Sequence, residues 1–94
     1  MDEVIDIKHS ARDEWLVIIK GAVTTRHRVR VGNADLNRLG QGQPAERLIE
    51  ESFRFLLERE PNSSILPSFD LTIIGRYFPE YETEIRTRLE NTTQ

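Results

Sequence analysis

Residues 45–60 read AERLIEESFRFLLERE, with Gln43 and Pro44 before them and Pro61 after. On a helix at roughly 100° per residue, Ala45, Leu48, Ile49, Ser52, Phe53, Phe55, Leu56 and Leu57 fill an arc of about 200°. Glu46, Arg47, Glu50, Glu51, Arg54 and Glu58 fill the remainder. A surface helix resting on one neighbour shows an apolar stripe nearer ~100° wide, so this helix is expected to be covered on two sides. Pro44 suits the first helical position, because the amide it lacks would be unpaired there, and Pro61 cannot continue the helix. Phe55 and Leu57 stand at the two margins of the arc and are the candidate association surface.

Upstream of this helix the apolar period is two. Val4 to Lys8 (VIDIK) alternates apolar with charged residues, as a short half-buried strand does. His9 to Asp13 (HSARD) has turn composition, and Glu14 to Lys20 (EWLVIIK) has the run expected of a strand covered on both faces. Gly21 ends or bulges it. Thr25 to Val31 (TRHRVRV) resumes the alternation, with Arg26, Arg28 and Arg30 on one face and His27, Val29 and Val31 on the other. Short loops between these segments predict an antiparallel meander.

Gly32 and Asn33 break the alternation, and Asn33 is placed to cap a short helix, Ala34 to Leu39, with Gly40 at the left-handed C-terminal position. Beyond Pro61, Asn62 to Pro67 reads as a loop pinned by Ile65 and Leu66. Ser68 reads as the cap of a helix from Phe69 to Tyr77, and Pro79 opens another, Pro79 to Leu89, with Tyr81, Ile85 and Leu89 in one stripe. Glu80, Glu82 and Glu84 precede Arg86 and Arg88, an order that suits the helix dipole and predicts Glu82–Arg86 and Glu84–Arg88 pairs. Strands within residues 3–32 followed by helices within 33–90 predict an α+β fold in a single domain over 1–94. It comprises a small antiparallel meander of about three strands and three to four helices packed on one face.

A 94-residue chain buries only about 60 to 65% of its unfolded surface, enough for one modest core. The longest apolar run, Trp15 to Ile19, is far short of the ~20 residues of a membrane helix, and MDEVIDIKHS is acidic where a signal peptide is basic and then apolar. A soluble, cytoplasmic protein without membrane contact is expected. With no cysteine, disulfides, thiolate metal sites and cysteine nucleophiles are excluded. The net charge of -3 hides a segregation. Residues 2–14 carry Asp2, Glu3, Asp6, Asp13 and Glu14, whereas 15–34 contain no acid and carry Lys20, Arg26, Arg28, Arg30 and His27.

Few groups offer catalysis. His9, Ser10 and Asp13 share one turn, but a triad is assembled by the fold and not by adjacency, so a polar surface turn is expected. His27, on the apolar side of its strand, is expected to be partly buried and hydrogen-bonded. Glu80, Glu82 and Glu84 point about 200° apart in succession and cannot converge on one cation. Gly40 and Gly42 in LGQGQP precede a helix, yet no Lys followed by Ser or Thr completes a phosphate loop. No catalytic residue, metal site or cofactor is expected.

The arginine ladder carries the sharper expectation. The segment TTRHRVRVGNADLNRLGQGQPAERLIEESFRFLLERE, strand then short helix then longer amphipathic helix, resembles a ribbon-helix-helix domain of small repressors and antitoxins. The resemblance covers about a third of the chain. It implies a dimer whose paired strands enter the DNA major groove, with Arg26, Arg28 and Arg30 reading base edges and the helix start at Pro44 and Ala45 beside a phosphate. The first helix is shorter than in that family, Gln and Pro stand where a small hydroxyl residue would grip phosphate, and EWLVIIK lies just upstream. Otherwise Arg26, Arg28, Arg30 and Lys20 form a solvated face or meet an acidic protein partner. The leading expectation is a small non-enzymatic protein acting by association with a protein partner or itself, as a homodimer. The alternative is a dimeric DNA-binding regulator or antitoxin.

Overall fold

A computed structural model of the protein describes residues 4–91. The meander forms as the alternation predicts: β1 (Val4–Ala11), β2 (Glu14–Lys20) and β3 (Thr25–Arg30) pair antiparallel in chain order. β1 runs three residues past the expected end, because a bulge between His9 and Ala11 lets pairing continue to the turn. Ser10 Oγ donates to the Glu14 carbonyl there. Val17, Ile19, His27 and Val29 project to one side and are buried, whereas Arg26, Arg28 and Arg30 project to the other and are exposed.

α1 (Asn33–Leu39) and α2 (Ala45–Leu57) follow, and then the chain departs from the expected order. Ser68 does not cap a helix. Ser68–Asp70 forms a fourth strand, β4, parallel to β3 with Arg28 opposite Ser68 and Arg30 opposite Asp70. Parallel neighbours need a long connection, here the segment holding α1 and α2. The helix start moves to Asp70, whose carboxylate accepts from the Thr72 backbone amide (3.1 Å) and hydroxyl (2.8 Å). A 3₁₀ turn (Leu71–Ile73) then runs into the single turn α3 (Ile74–Tyr77), and α4 (Tyr81–Asn91) closes the described chain. The result is an α+β fold with helices packed against a four-stranded, mostly antiparallel sheet.

Gly40 shows a different use of glycine from the one expected. Its φ is -80°, and the left-handed residues are Gln41 and Gly42. A Cβ on Gly40 would lie 2.5 Å from the Leu36 carbonyl oxygen, so close approach and not φ requires glycine there.

The broad apolar arc of α2 is covered on two sides. Phe53 meets the sheet side, its ring 5.6 Å from His27 and 5.9 Å from Phe69. Phe55 meets the helical side, edge-on to Tyr81 (5.4 Å) and Phe78 (5.8 Å). Ser52 sits in the α2–α4 contact, donating to the Leu48 carbonyl and accepting from the Tyr81 hydroxyl, both at 2.7 Å. Burial raises the Tyr81 phenol well above its ordinary pKa, so it stays a donor. The helix ends at Leu57, three residues before the expected Glu60.

An arginine-rich clamp closes the outside of the α2–α4 contact. The Arg59 guanidinium lies 3.6 Å from the Phe55 ring centroid and bonds Glu80 (3.2 Å) and Glu84 (3.3 Å). Arg88 bonds Glu58 and Glu84, each at 2.6 Å, so the expected Glu84–Arg88 pair forms. Glu82 instead meets Arg38 of α1 at 2.7 Å, tying α1 to α4 in place of the Glu82–Arg86 pair.

The clamp has an acid signature. Hydrogen bonding from Arg88 holds the Glu84 carboxyl below the ordinary glutamate range, and Arg54 does the same for Glu50. A carboxyl lowered on folding stabilises above its unfolded pKa, and that stabilisation is lost as pH falls through the folded value. This contribution to stability therefore falls away as the pH drops below the ordinary glutamate range, and Arg88→Met is expected to move the acid midpoint upward. Far-ultraviolet circular dichroism against pH tests this, and an unchanged midpoint would remove the clamp from the acid transition.

Candidate functional site

With the helices on one side, no element among the described residues covers the other face of the sheet, which is open in that sense. Its residues stand in register across the strands: Asp6, Ile18 and Arg26 in one row; Lys8, Leu16, Arg28 and Ser68 in the next; Glu14, Arg30 and Asp70 in the third. Lys20 lies beyond them, opposite Val4. EWLVIIK is thus not covered on both faces, as its apolar run suggested. Leu16 and Ile18 are half-buried at the middle of the open face, flanked in register by Arg28 and Arg26, whose methylene stems can shield aliphatic neighbours.

The electrostatics of this face are lopsided. Lys20 pairs with Asp6 at 3.1 Å and Arg28 approaches Glu14 at 3.9 Å. Asp70 is spent on Thr72. Among the described residues Arg26 and Arg30 have no carboxylate within 4 Å, although both are exposed. Among the described residues five cations, Lys8, Lys20, Arg26, Arg28 and Arg30, stand against the three carboxylates Asp6, Glu14 and Asp70, so this described face is positive on a chain of net charge -3. The acids of the helical layer are occupied largely by Arg38, Arg47, Arg54, Arg59 and Arg88.

The structure therefore brings the four sequence-selected cations, Lys20, Arg26, Arg28 and Arg30, onto one surface. The other candidate pair is placed differently. Phe55 is 0% exposed under Arg59, Phe78 and Tyr81 and offers no free surface, and Leu57 is half-buried against the core. The sixteen buried apolar side chains among the described residues leave little of a wide arc unused, and α4 takes the part that the sheet does not. Leu16 and Ile18 were the residues missed. Their only sequence signal was outward parity with the arginines across a hairpin.

Beneath the ladder, His27 is buried and locked. Nδ1 lies 2.8 Å from the Leu66 carbonyl and therefore donates to it, and Nε2 accepts from the Thr25 hydroxyl at 2.8 Å. Asn62 Nδ2 donates both to Thr25 Oγ1 (2.9 Å) and to the Val23 carbonyl (2.8 Å). This network ties the loop before β4 to β3 and keeps the arginine strand flat against the core. In the first hairpin the His9 ring stacks on Trp15 at 4.3 Å, its Nε2 lies 3.1 Å from the Arg12 carbonyl, and Ser10 bonds Glu14. These side chains bond backbone carbonyls and not one another. Among the described residues no three His, Asp or Glu side chains are grouped to hold a metal ion, and no helix is long and apolar enough to cross a membrane.

β3 is paired on both edges within one chain, to β2 along its length and to β4 at Arg28 to Arg30, where the Arg28 amide donates to the Pro67 carbonyl at 2.8 Å. A ribbon built from two copies of this strand would have to displace β2 or β4. Gln43, just before α2, donates to the Leu89 carbonyl at 3.4 Å, which places that helix start beside the end of α4. Comparison with protein-family models, curated proteins and solved structures finds no match for the chain.

Proposed function

We propose that this protein is a non-enzymatic association module that docks an acidic protein surface on its open sheet face. The observation that supports it most is that the exposed guanidiniums of Arg26 and Arg30, on either side of Arg28 and next to the half-buried Leu16 and Ile18, have no carboxylate partner among the described residues. Arginine forks bond carboxylates bidentately, and an apolar centre within a charged rim is the anatomy of a protein contact. Asp6, Glu14 and Asp70 interrupt the positive surface, which suits matched acidic and basic side chains better than a continuous phosphate backbone. Two copies of the face would bring positive surfaces together, so the partner is a different, acidic chain and not a second copy.

A peptide alternating Glu with Leu is the test ligand, with a mixed-sequence DNA duplex as its competitor, followed by fluorescence anisotropy at 20 to about 200 mM salt. Arg26→Gln, Arg28→Gln and Arg30→Gln combined are expected to weaken peptide binding at least about tenfold while leaving stability nearly unchanged, since exposed charges contribute little to folding. Binding of the duplex but not the peptide, with a salt slope that falls by about one per arginine removed, would replace the proposal with a DNA-binding role. Binding of neither leaves the ladder as a solvated strand face.

A further inference from the structure

A cleft of about 300 Å³ opens on the opposite side of β4 from the arginine ladder, between the end of α2, the Asn62–Pro67 loop and α3. Leu56, Ile65 and Ile74 form buried parts of its wall, and Phe69, Ile73 and Phe78 add apolar surface. Of the four large apolar side chains exposed among the described residues, two, Leu66 (44%) and Tyr77 (66%), stand at this one cleft. The volume lies at the low end for small-molecule sites, and such sites pair an apolar lining with a few polar groups that fix orientation.

Here the charged lining group is a single one. Glu60 is half-buried in the cleft wall, and among the described residues no cation lies within 4 Å of its carboxylate. Its neighbours Glu58 and Arg59 turn away to the α2–α4 clamp. Every other carboxylate of that helix end is balanced, so Glu60 is the unmatched acid beside apolar and aromatic surface. We infer that this cleft binds a small amphiphilic cation, with an aromatic or alkyl body against Phe69, Ile74 and Tyr77 and a protonated amine at the Glu60 carboxylate. Ammonium next to aromatic faces gains cation–π attraction as well as the ion pair. The site is independent of the sheet face and of the association role.

Tryptamine is the probe, with indole-3-acetate as its anionic counterpart, titrated into the full chain and followed by amide and methyl chemical shifts. A ligand of about a dozen heavy atoms is expected to bind such a site with a Kd on the order of 1 mM. Shifts are expected at Ile65, Ile73 and Ile74. Glu60→Gln should weaken tryptamine about fivefold, and Glu60→Lys should abolish its binding and favour indole-3-acetate. Both changes are at a part-exposed side chain and leave the fold intact by the methyl spectrum. Equal binding of the anion by the native chain, shifts elsewhere, or none at about 10 mM would overturn the inference.

Discussion

Phe53→Ala is expected to lower the unfolding free energy by about 3–5 kcal/mol, which leaves a domain of this size close to its unfolding threshold. Phe53 is 0% exposed and bridges layers: its ring meets His27 on the sheet and Phe69 on β4. Truncation removes the transfer energy of the ring and leaves a cavity bounded by two β-strands and a helix, none of which can close on it without breaking strand register. Urea denaturation followed by circular dichroism measures the loss. Leu57→Ala is the control, because its side chain is half-buried and should cost clearly less. A loss below about 1 kcal/mol for Phe53→Ala would mean that Phe53 does not bridge the two layers.

His27→Ala is expected to cost about 2–4 kcal/mol, from lost packing against Phe53 together with lost hydrogen bonds to Leu66 and Thr25. His27→Leu separates the two contributions. It keeps most of the volume but removes the tether, so about 1–2 kcal/mol should remain. Both variants should accelerate hydrogen exchange at the Arg28 amide, whose acceptor is the Pro67 carbonyl next to the tethered Leu66. Slow exchange at Arg28 in His27→Ala would show that β4 holds its place without the histidine. Because the arginine strand sits on this network, the same variants test how far the open face depends on the layer beneath it.

Much of the fold was legible in short windows. The period-two runs in VIDIK and TRHRVRV assign β1 and β3 and put Arg26, Arg28 and Arg30 on one side, because side-chain parity along a strand depends only on consecutive residues. The 3.6-residue period of AERLIEESFRFLL does the same for α2, and its unusual breadth correctly implies two neighbours. β4 was illegible: Ser68, Phe69 and Asp70 look like a helix entry, and what makes them a strand is Arg28 to Arg30, some forty residues earlier. Phe55 misled for a related reason. A residue at the edge of an arc is exposed or buried according to what arrives beside it, and here Tyr81, Phe78 and Arg59 arrive.

By itself, then, the sequence determined the types of β1, β2, β3, α1, α2 and α4, the α+β class and the row of arginines, all consequences of local periodicity and backbone chemistry. Only the tertiary structure decided which side of the sheet the helices would cover, and with it that Leu16 and Ile18 join the ladder on an open face. It also decided that Glu82 would pair with Arg38 and not Arg86, that His27 would reach Leu66, and that Glu60 would be left at the mouth of an apolar cleft. The physical reason is shared by all of these. Each rests on contacts between groups far apart in the chain, whose energies exist only once the core has closed and brought them within reach.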